Sequence, residues 1–190
     1  MAAFYRAKVT AVDAAAEFIA ELREHARQAG LDHLVQGVCA DMGALAWPAG
    51  SLDLLWSEGS AYTLGFQEAL TRWRPLMASG GLAVVSELSW FGEERPGPAQ
   101  AFWKLAYPGM GDEEQNIFRA GRAGFETLFT RRLPSEAWWM NYYGPLRDRL
   151  RELKITSRNR AVVQECEEEM ALFERFGDFY GYTFYVLRAA

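Results

Sequence analysis

Short, continuous apolar runs and longer stretches of helical periodicity take turns along the first half of the chain. Val9–Asp13, Leu34–Cys39, Leu52–Ser57 and Leu82–Leu88 read as buried strands. Ala15, Phe18, Ile19, Leu22 and Ala26 fall on one face of a helix that Gly30 can end, and a turn at Pro48-Ala49-Gly50 leads into the third strand. Phe66, Ala69, Leu70, Trp73 and Met77 make the inner face of a second helix that stops at Gly80-Gly81. Strand–helix–strand units with short connections predict an α/β fold, a parallel sheet covered by helices.

The second half is mostly helical. Pro96 and Pro98 bracket a loop, Ala99–Tyr107 reads as a short helix, and Asp112 with Gln115 has the spacing of a capping box. Phe125–Leu133 is strand-like. The aromatic stretch Trp138–Tyr143 precedes Pro145, a helix starter, and a long helix over Asn159–Phe176 turns Val162, Val163, Cys166, Met170 and Phe173 inward. Its Glu165, Glu167, Glu168 and Glu169 read as a solvated face, and Tyr182–Leu187 closes the chain as a strand. No repeat, low-complexity tract or linker appears, so residues 1–190 are expected to form one domain, with 92–124 and 134–176 as helical cap segments.

Composition narrows the function. At 190 residues and 50% hydrophobic the chain can build a proper core, and seven Trp, eight Tyr and twelve Phe exceed what a core alone requires. A net charge of −5 argues against a nucleic-acid or membrane-surface binder, and no apolar run approaches the ~20 residues of a spanning helix. The cytoplasm is the expected compartment. Charge is uneven: −7 over 1–118, +6 over 119–160 and −4 over 161–190, so the basic middle faces either solvent or an anionic partner. Cys39 and Cys166 have no metal-ligand spacing and are expected to be packed thiols, while His25 and His33 are expected at the surface.

The candidate chemistry lies at strand ends. Asp13, Asp41 and Glu58 follow three successive strands, and Glu87 sits near the end of a fourth. In open α/β sheets the ligand lies outside the carboxyl ends of the strands, where a carboxylate can accept from both hydroxyls of a ribose. The alternative for each of the first three is a cap on the following helix.

The run Asp53-Leu54-Leu55-Trp56-Ser57-Glu58-Gly59-Ser60-Ala61-Tyr62 through Gly65-Phe66 carries a family resemblance. So do Ser86-Glu87-Leu88-Ser89-Trp90-Phe91 with Glu94-Arg95-Pro96, and Tyr180-Gly181-Tyr182-Thr183-Phe184-Tyr185. From residue 8 onward the chain resembles class I S-adenosylmethionine-dependent methyltransferases, within them a bacterial small-molecule subgroup. The resemblance implies a Rossmann-like, mostly parallel sheet with helices on both faces and an antiparallel last strand. It implies that Asp13, beside Ala14, holds the ribose, that Asp41 with the backbone of Met42 holds the adenine, and that Ser57 and Glu58 lie beside the methionine moiety. The family's first, central strand and its Gly-rich loop have no counterpart here, and residues 1–7 match only the tail of its first helix. Two rows of unpaired backbone groups are expected in consequence, in a longer native chain or a rearranged one.

Methyl transfer needs alignment, exclusion of water and tolerance of positive charge. Tyr62, Trp90, Phe91, Tyr142 and Tyr143 are candidates to face the sulfonium or clamp the acceptor, or else ordinary core. Glu58 and Glu87 are the candidate proton acceptors, a role that requires a carboxyl raised by burial. The implied cofactor is S-adenosylmethionine and the implied partner a small-molecule methyl acceptor; a homodimer fits the exposed edges. Two rivals remain: a relic of the fold that no longer binds cofactor, and a nicotinamide-dependent dehydrogenase, against which stands the absence of a Tyr-x-x-x-Lys pair.

Overall fold

Val9–Asp13 and Leu52–Ser57 form strands with the expected bounds. The computed structural model describes residues 1–190, which fall into two compact units, Met1–Pro48 and Ala49–Ala190.

The first unit is a short helix α1 (Ala2–Tyr5), β1 (Val9–Asp13), α2 (Ala16–Gln28) and β2 (Val35–Cys39). β1 and β2 run parallel, with Val9 opposite Val35 and Asp13 opposite Cys39. Helix α2 packs along β2 through a narrow line containing buried Ile19 and Ala26. Two strands offer too little surface to cover the wider stripe read from the sequence, so Phe18 is 60% exposed rather than inward. Cys39 is likewise exposed, its thiol donating to the Ala14 carbonyl at 3.4 Å, which corrects the expectation of a packed thiol.

The second unit begins with β3 (Leu52–Ser57), a 3-10 turn at Ala61–Thr63, α3 (Phe66–Trp73) and β4 (Met77–Trp90). It continues with α4 (Gly97–Ala106), β5 (Gly111–Asp112), α5 (Glu113–Arg122) and β6 (Phe125–Arg132). Then come α6 (Ser135–Trp138), a π-helical stretch Trp139–Tyr143, α7 (Gly144–Glu152), α8 (Arg160–Phe176) and β7 (Tyr180–Ala189). The strand order is β3-β4-β7-β6, with β5 on the far end of β4. β7 is antiparallel to both its neighbours, while β3 and β5 run parallel to β4, so the last strand is antiparallel as expected. β1 pairs only with β2 and β3 only with β4, leaving each with one unpaired edge.

Two boundaries moved for identifiable reasons. Met77 does not end α3: a 3-10 turn containing Pro75 stops the helix, and Met77 opens β4. Gly80 and Gly81 then form an irregularity inside β4, where the pairing jumps from Leu52–Met77 to Leu54–Leu82. Gly80 has φ +73°, which a β-branched residue would resist. Pro98 lies in the first turn of α4, where its missing N–H costs nothing, instead of in a loop. The capping box at Asp112 is present, Asp112 accepting from the Gln115 N–H and Gln115 from the Asp112 N–H.

Alternation along β4 separates two faces. Val85, Glu87 and Ser89 belong to the face covered by α3 and α5. There Phe66 meets Tyr185 at 5.2 Å, and Asn116 donates to Ser89 Oγ and Tyr185 Oη at 3.1 and 3.2 Å. Leu88 and Trp90 belong to the opposite face, in a cluster with Trp103, Trp138, Tyr143, Met170, Phe173 and Tyr180. Val163, Met170 and Phe173 point inward from α8 as expected; Val162 is exposed and Cys166 only half-buried, because the contact line runs along the other side of the helix.

Candidate functional site

In the first unit, parallel pairing brings Asp13 and Asp41 to neighbouring strand ends: Asp13 closes β1, and Asp41 lies two residues beyond β2. The Ala40 N–H donates to the Asp13 carbonyl at 3.0 Å, tying the two ends together. Each acid uses one carboxylate oxygen locally. Asp13 Oδ1 accepts from the Ala15 N–H at 2.8 Å and Asp41 Oδ1 from the Gly43 N–H at 2.7 Å. These are local turns and not the caps the alternative reading expects, since α2 is capped at Ala15 without a side-chain bond and no helix follows Asp41; both residues are exposed and present carboxylate to solvent at the strand ends. Ala14 beside Asp13 is exposed and Met42 is half-buried.

In the second unit, β3 ends at Ser57, which is buried and shares a hydrogen bond with the Ser60 hydroxyl at 2.8 Å. The chain then turns through Gly59, whose N–H donates to Ser86 Oγ at 2.9 Å. Gly59 has φ +57°, and a Cβ there would come within 3.3 Å of the Tyr182 hydroxyl, so both conformation and space call for glycine. Glu58 is exposed and accepts from the Trp56 indole N–H.

Glu87 is different. It is 1% exposed, and neither carboxylate oxygen has a hydrogen-bond partner. Burial raises its pKa to about 7, against the opposing pull of the Tyr107 hydroxyl, the Arg119 charge and the Leu88 backbone. The same neighbourhood pushes the Tyr107 hydroxyl up, through burial first and the Glu87 charge second. Tyr107 stands close enough to Glu87 to be coupled to it, although no bond of good geometry closes. Arg119 holds the Tyr107 loop through the Gly109 carbonyl at 2.9 Å and reaches the buried network through Asn116 Oδ1 at 2.8 Å.

Tyr107 also lines a cleft of about 360 Å³ with Gly59, Tyr62, Leu88, Trp103, Ala106, Trp138, Tyr142, Glu169 and Tyr182. Tyr62 and Tyr107 meet edge to face at 5.9 Å, and Trp138 stacks on Tyr182 at 4.9 Å. Glu169 accepts from the buried Tyr143 hydroxyl at 2.7 Å, and burial raises its pKa. Among the residues proposed from sequence for substrate contact, Tyr62 and Tyr142 line this cleft. Trp90 and Tyr143 are core residues; Tyr143 reaches the cleft through Glu169. Phe91 lies against Gly181 with the Arg132 guanidinium 4.4 Å from its ring centre.

Glu169 corrects the reading of α8's acids as a solvated face. It lies four residues before the buried Phe173, on the inward line, and that spacing was visible in the sequence. Tyr107, Trp103, Trp138 and Tyr182 had no comparable signal, because aromatics at helical or strand spacing read as core.

Residues 1–85 match the family described as Methyltransferase domain. No curated protein matches the sequence. Among solved structures, a Galdieria sulphuraria protein assigned as a sarcosine dimethylglycine methyltransferase has a TM-score of 0.78 at 12% identity, covering 100% of this chain and 72% of its own. The (4+2)-cyclase SpnF has a TM-score of 0.74 at 21% identity, covering 96% of this chain and 66% of its own. A geranyl diphosphate C-methyltransferase from Streptomyces coelicolor A3(2), bound to Mg2+, geranyl diphosphate and S-adenosyl-L-homocysteine, has a TM-score of 0.67 at 10% identity. It is covered over 63% of its length and 97% of this one. The chain thus spans about two thirds of the length of these structures, and likeness at such identity establishes the fold. The expected resemblance to methyltransferases is found in the family match over residues 1–85, and the expected fold in the likeness to these structures.

Proposed function

We propose that this chain, whose first 85 residues match the methyltransferase domain, transfers the methyl group of S-adenosylmethionine to a small molecule. The observation that carries the reading is the pair of exposed carboxylates, Asp13 and Asp41, at adjacent parallel strand ends inside the matched segment. That donor set fits a nucleoside. Asp13 would accept from the ribose hydroxyls and Asp41 from the adenine amino group, with the Met42 backbone alongside. When bound, the cofactor supplies an electrophilic methyl group on a positively charged sulfur.

The chain's own residues then have three tasks. The aromatic cleft of the second unit holds the acceptor and excludes water. Tyr62 and Tyr142, about half exposed, form its outer wall. Glu87 takes the proton that the acceptor loses, with Tyr107 between the cleft and the carboxylate, since a base that titrates near neutrality suits that transfer. Glu58, exposed and held by Trp56, is the second candidate for the same proton.

Fold alone does not select the chemistry, as the cyclase SpnF illustrates. Calorimetric titration with S-adenosylhomocysteine decides. Micromolar binding, weakened about tenfold or more by Asp13→Asn, is the expected result. A folded chain that binds none would overturn the reading and favour a protein that keeps the fold without the cofactor.

A further inference from the structure

Taking the methyl-transfer reading as its basis, we infer that the acceptor is a small aliphatic amine that enters the cleft as its ammonium ion. Three features of the cleft carry this. Its walls are aromatic: Tyr62, Tyr107, Trp138, Tyr142 and Tyr182 surround about 360 Å³, at the small end of the ~300–1,000 Å³ typical of ligand sites. Aromatic faces attract cations without acting as nucleophiles. Its one charged lining residue is Glu169, and no Lys, Arg or His lines it. Behind Tyr107 stands Glu87, a carboxylate 1% exposed with both oxygens unpartnered.

The electrostatics agree with the geometry. After burial, the effects that hold the Tyr142 and Tyr182 protons in place come from neighbouring groups that are or become negative: Glu169, Cys166 and Tyr62 at Tyr142; Glu87, Tyr62, Tyr142 and Glu169 at Tyr182. The one opposing charge is Arg119, which acts on Glu87 and Tyr107 and is tied to Gly109 and Asn116 outside the cleft. A cleft of this sign repels diphosphates and gives a carboxylate no partner, so an amine without an acidic group fits best.

An ammonium ion is no nucleophile. Its excess proton must leave nitrogen before the lone pair can attack, and Glu87 is placed to take it through Tyr107. One N–H bond breaks, the lone pair stays on nitrogen, and the carboxylate becomes a carboxylic acid, while Glu169 remains as counter-charge for the cationic product.

The test uses tetramethylammonium, a cation with no proton to lose, and 2,2-dimethylpropan-1-ol, a neutral molecule of similar branched shape. Calorimetry on the full chain should show the cation binding about tenfold more tightly than the alcohol. That preference should fall severalfold in Glu169→Gln and in Tyr142→Leu, the second variant altering an exposed side chain in case the first misfolds. Equal affinity for cation and alcohol, or inorganic diphosphate displacing tetramethylammonium, would overturn the inference. A parallel titration with S-adenosylhomocysteine separates the two claims. Nucleoside binding without cation preference sinks the amine and leaves methyl transfer standing; cation preference without nucleoside binding does the reverse.

Discussion

The carboxylates of the two units all lie near the carboxyl ends of strands, but in opposite physical situations. Asp13 and Asp41 stand exposed at the ends of a two-stranded sheet, each with one oxygen engaged by a backbone N–H two residues on. Glu87 stands in a strand flanked on both sides and covered by α3 and α5, 1% exposed and without a partner. The first arrangement costs little and leaves a charge ready for hydroxyl and amino donors. The second is held against a desolvation penalty that hydrophobic packing of the surrounding sheet must offset. In the proposed reading these carboxylates serve two purposes: recognition where the sheet is thin, and proton transfer where it is deep.

The contrast can be broken most sharply at Glu87. Glu87→Gln keeps the volume and removes the base, and kcat is expected to fall by about 100-fold at neutral pH with KM little changed, measured with any accepted substrate. Stability should move the other way. The folded pKa of about 7 lies above the usual value of 4.5, so the folded state holds the proton more tightly than the unfolded state. That contribution is fully present below pH 4.5 and is lost as pH rises through 7, amounting to about 3 kcal/mol. Thermal melts from pH 5 to 8 should show the parent losing stability across this window and Glu87→Gln losing much less. Identical pH profiles would mean that Glu87 is hydrated.

At the other pole, Asp13→Asn should weaken S-adenosylhomocysteine by about tenfold or more while the melting temperature stays nearly unchanged, because an amide oxygen still accepts from Ala15. Asp13→Ala removes the turn's hydrogen bond as well and should cost a further ~1 kcal/mol of stability. If both variants bind as well as the parent, Asp13 only holds its local turn. The smallest effect concerns the thiols. Cys39 is exposed, whereas burial and then Glu169 and Glu165 raise the Cys166 pKa, so a disulfide reagent should modify Cys39 first. Faster reaction at Cys166 would show that α8 opens readily.

Much of the fold was legible because local pattern and tertiary demand agree. The strands Val9–Asp13 and Leu52–Ser57, the capping box at Asp112 and Pro145 in the first turn of α7 all follow from period, cap and missing-donor arguments that need no distant partner. The failures mark where a neighbour decides. Phe18 has helical periodicity, but a two-stranded sheet cannot cover it; Gly80-Gly81 looks like a helix stop and is a strand irregularity, because Pro75 had already ended the helix.

The same division runs through the site. By itself the sequence determined which acids end strands, the absence of metal-ligand spacing in the two cysteines and the aromatic surplus, since all three depend on residue type and order. Only the tertiary structure decided that Glu87 is sealed from water while Glu58 is not, that Tyr143 recruits Glu169 from an acidic helix face, and that Tyr62, Tyr107, Tyr142 and Tyr182 line one cleft. Those outcomes depend on desolvation and on side chains brought together from segments far apart in the chain. No period or motif encodes either, because both arise only when the sheet and its helices close on one another.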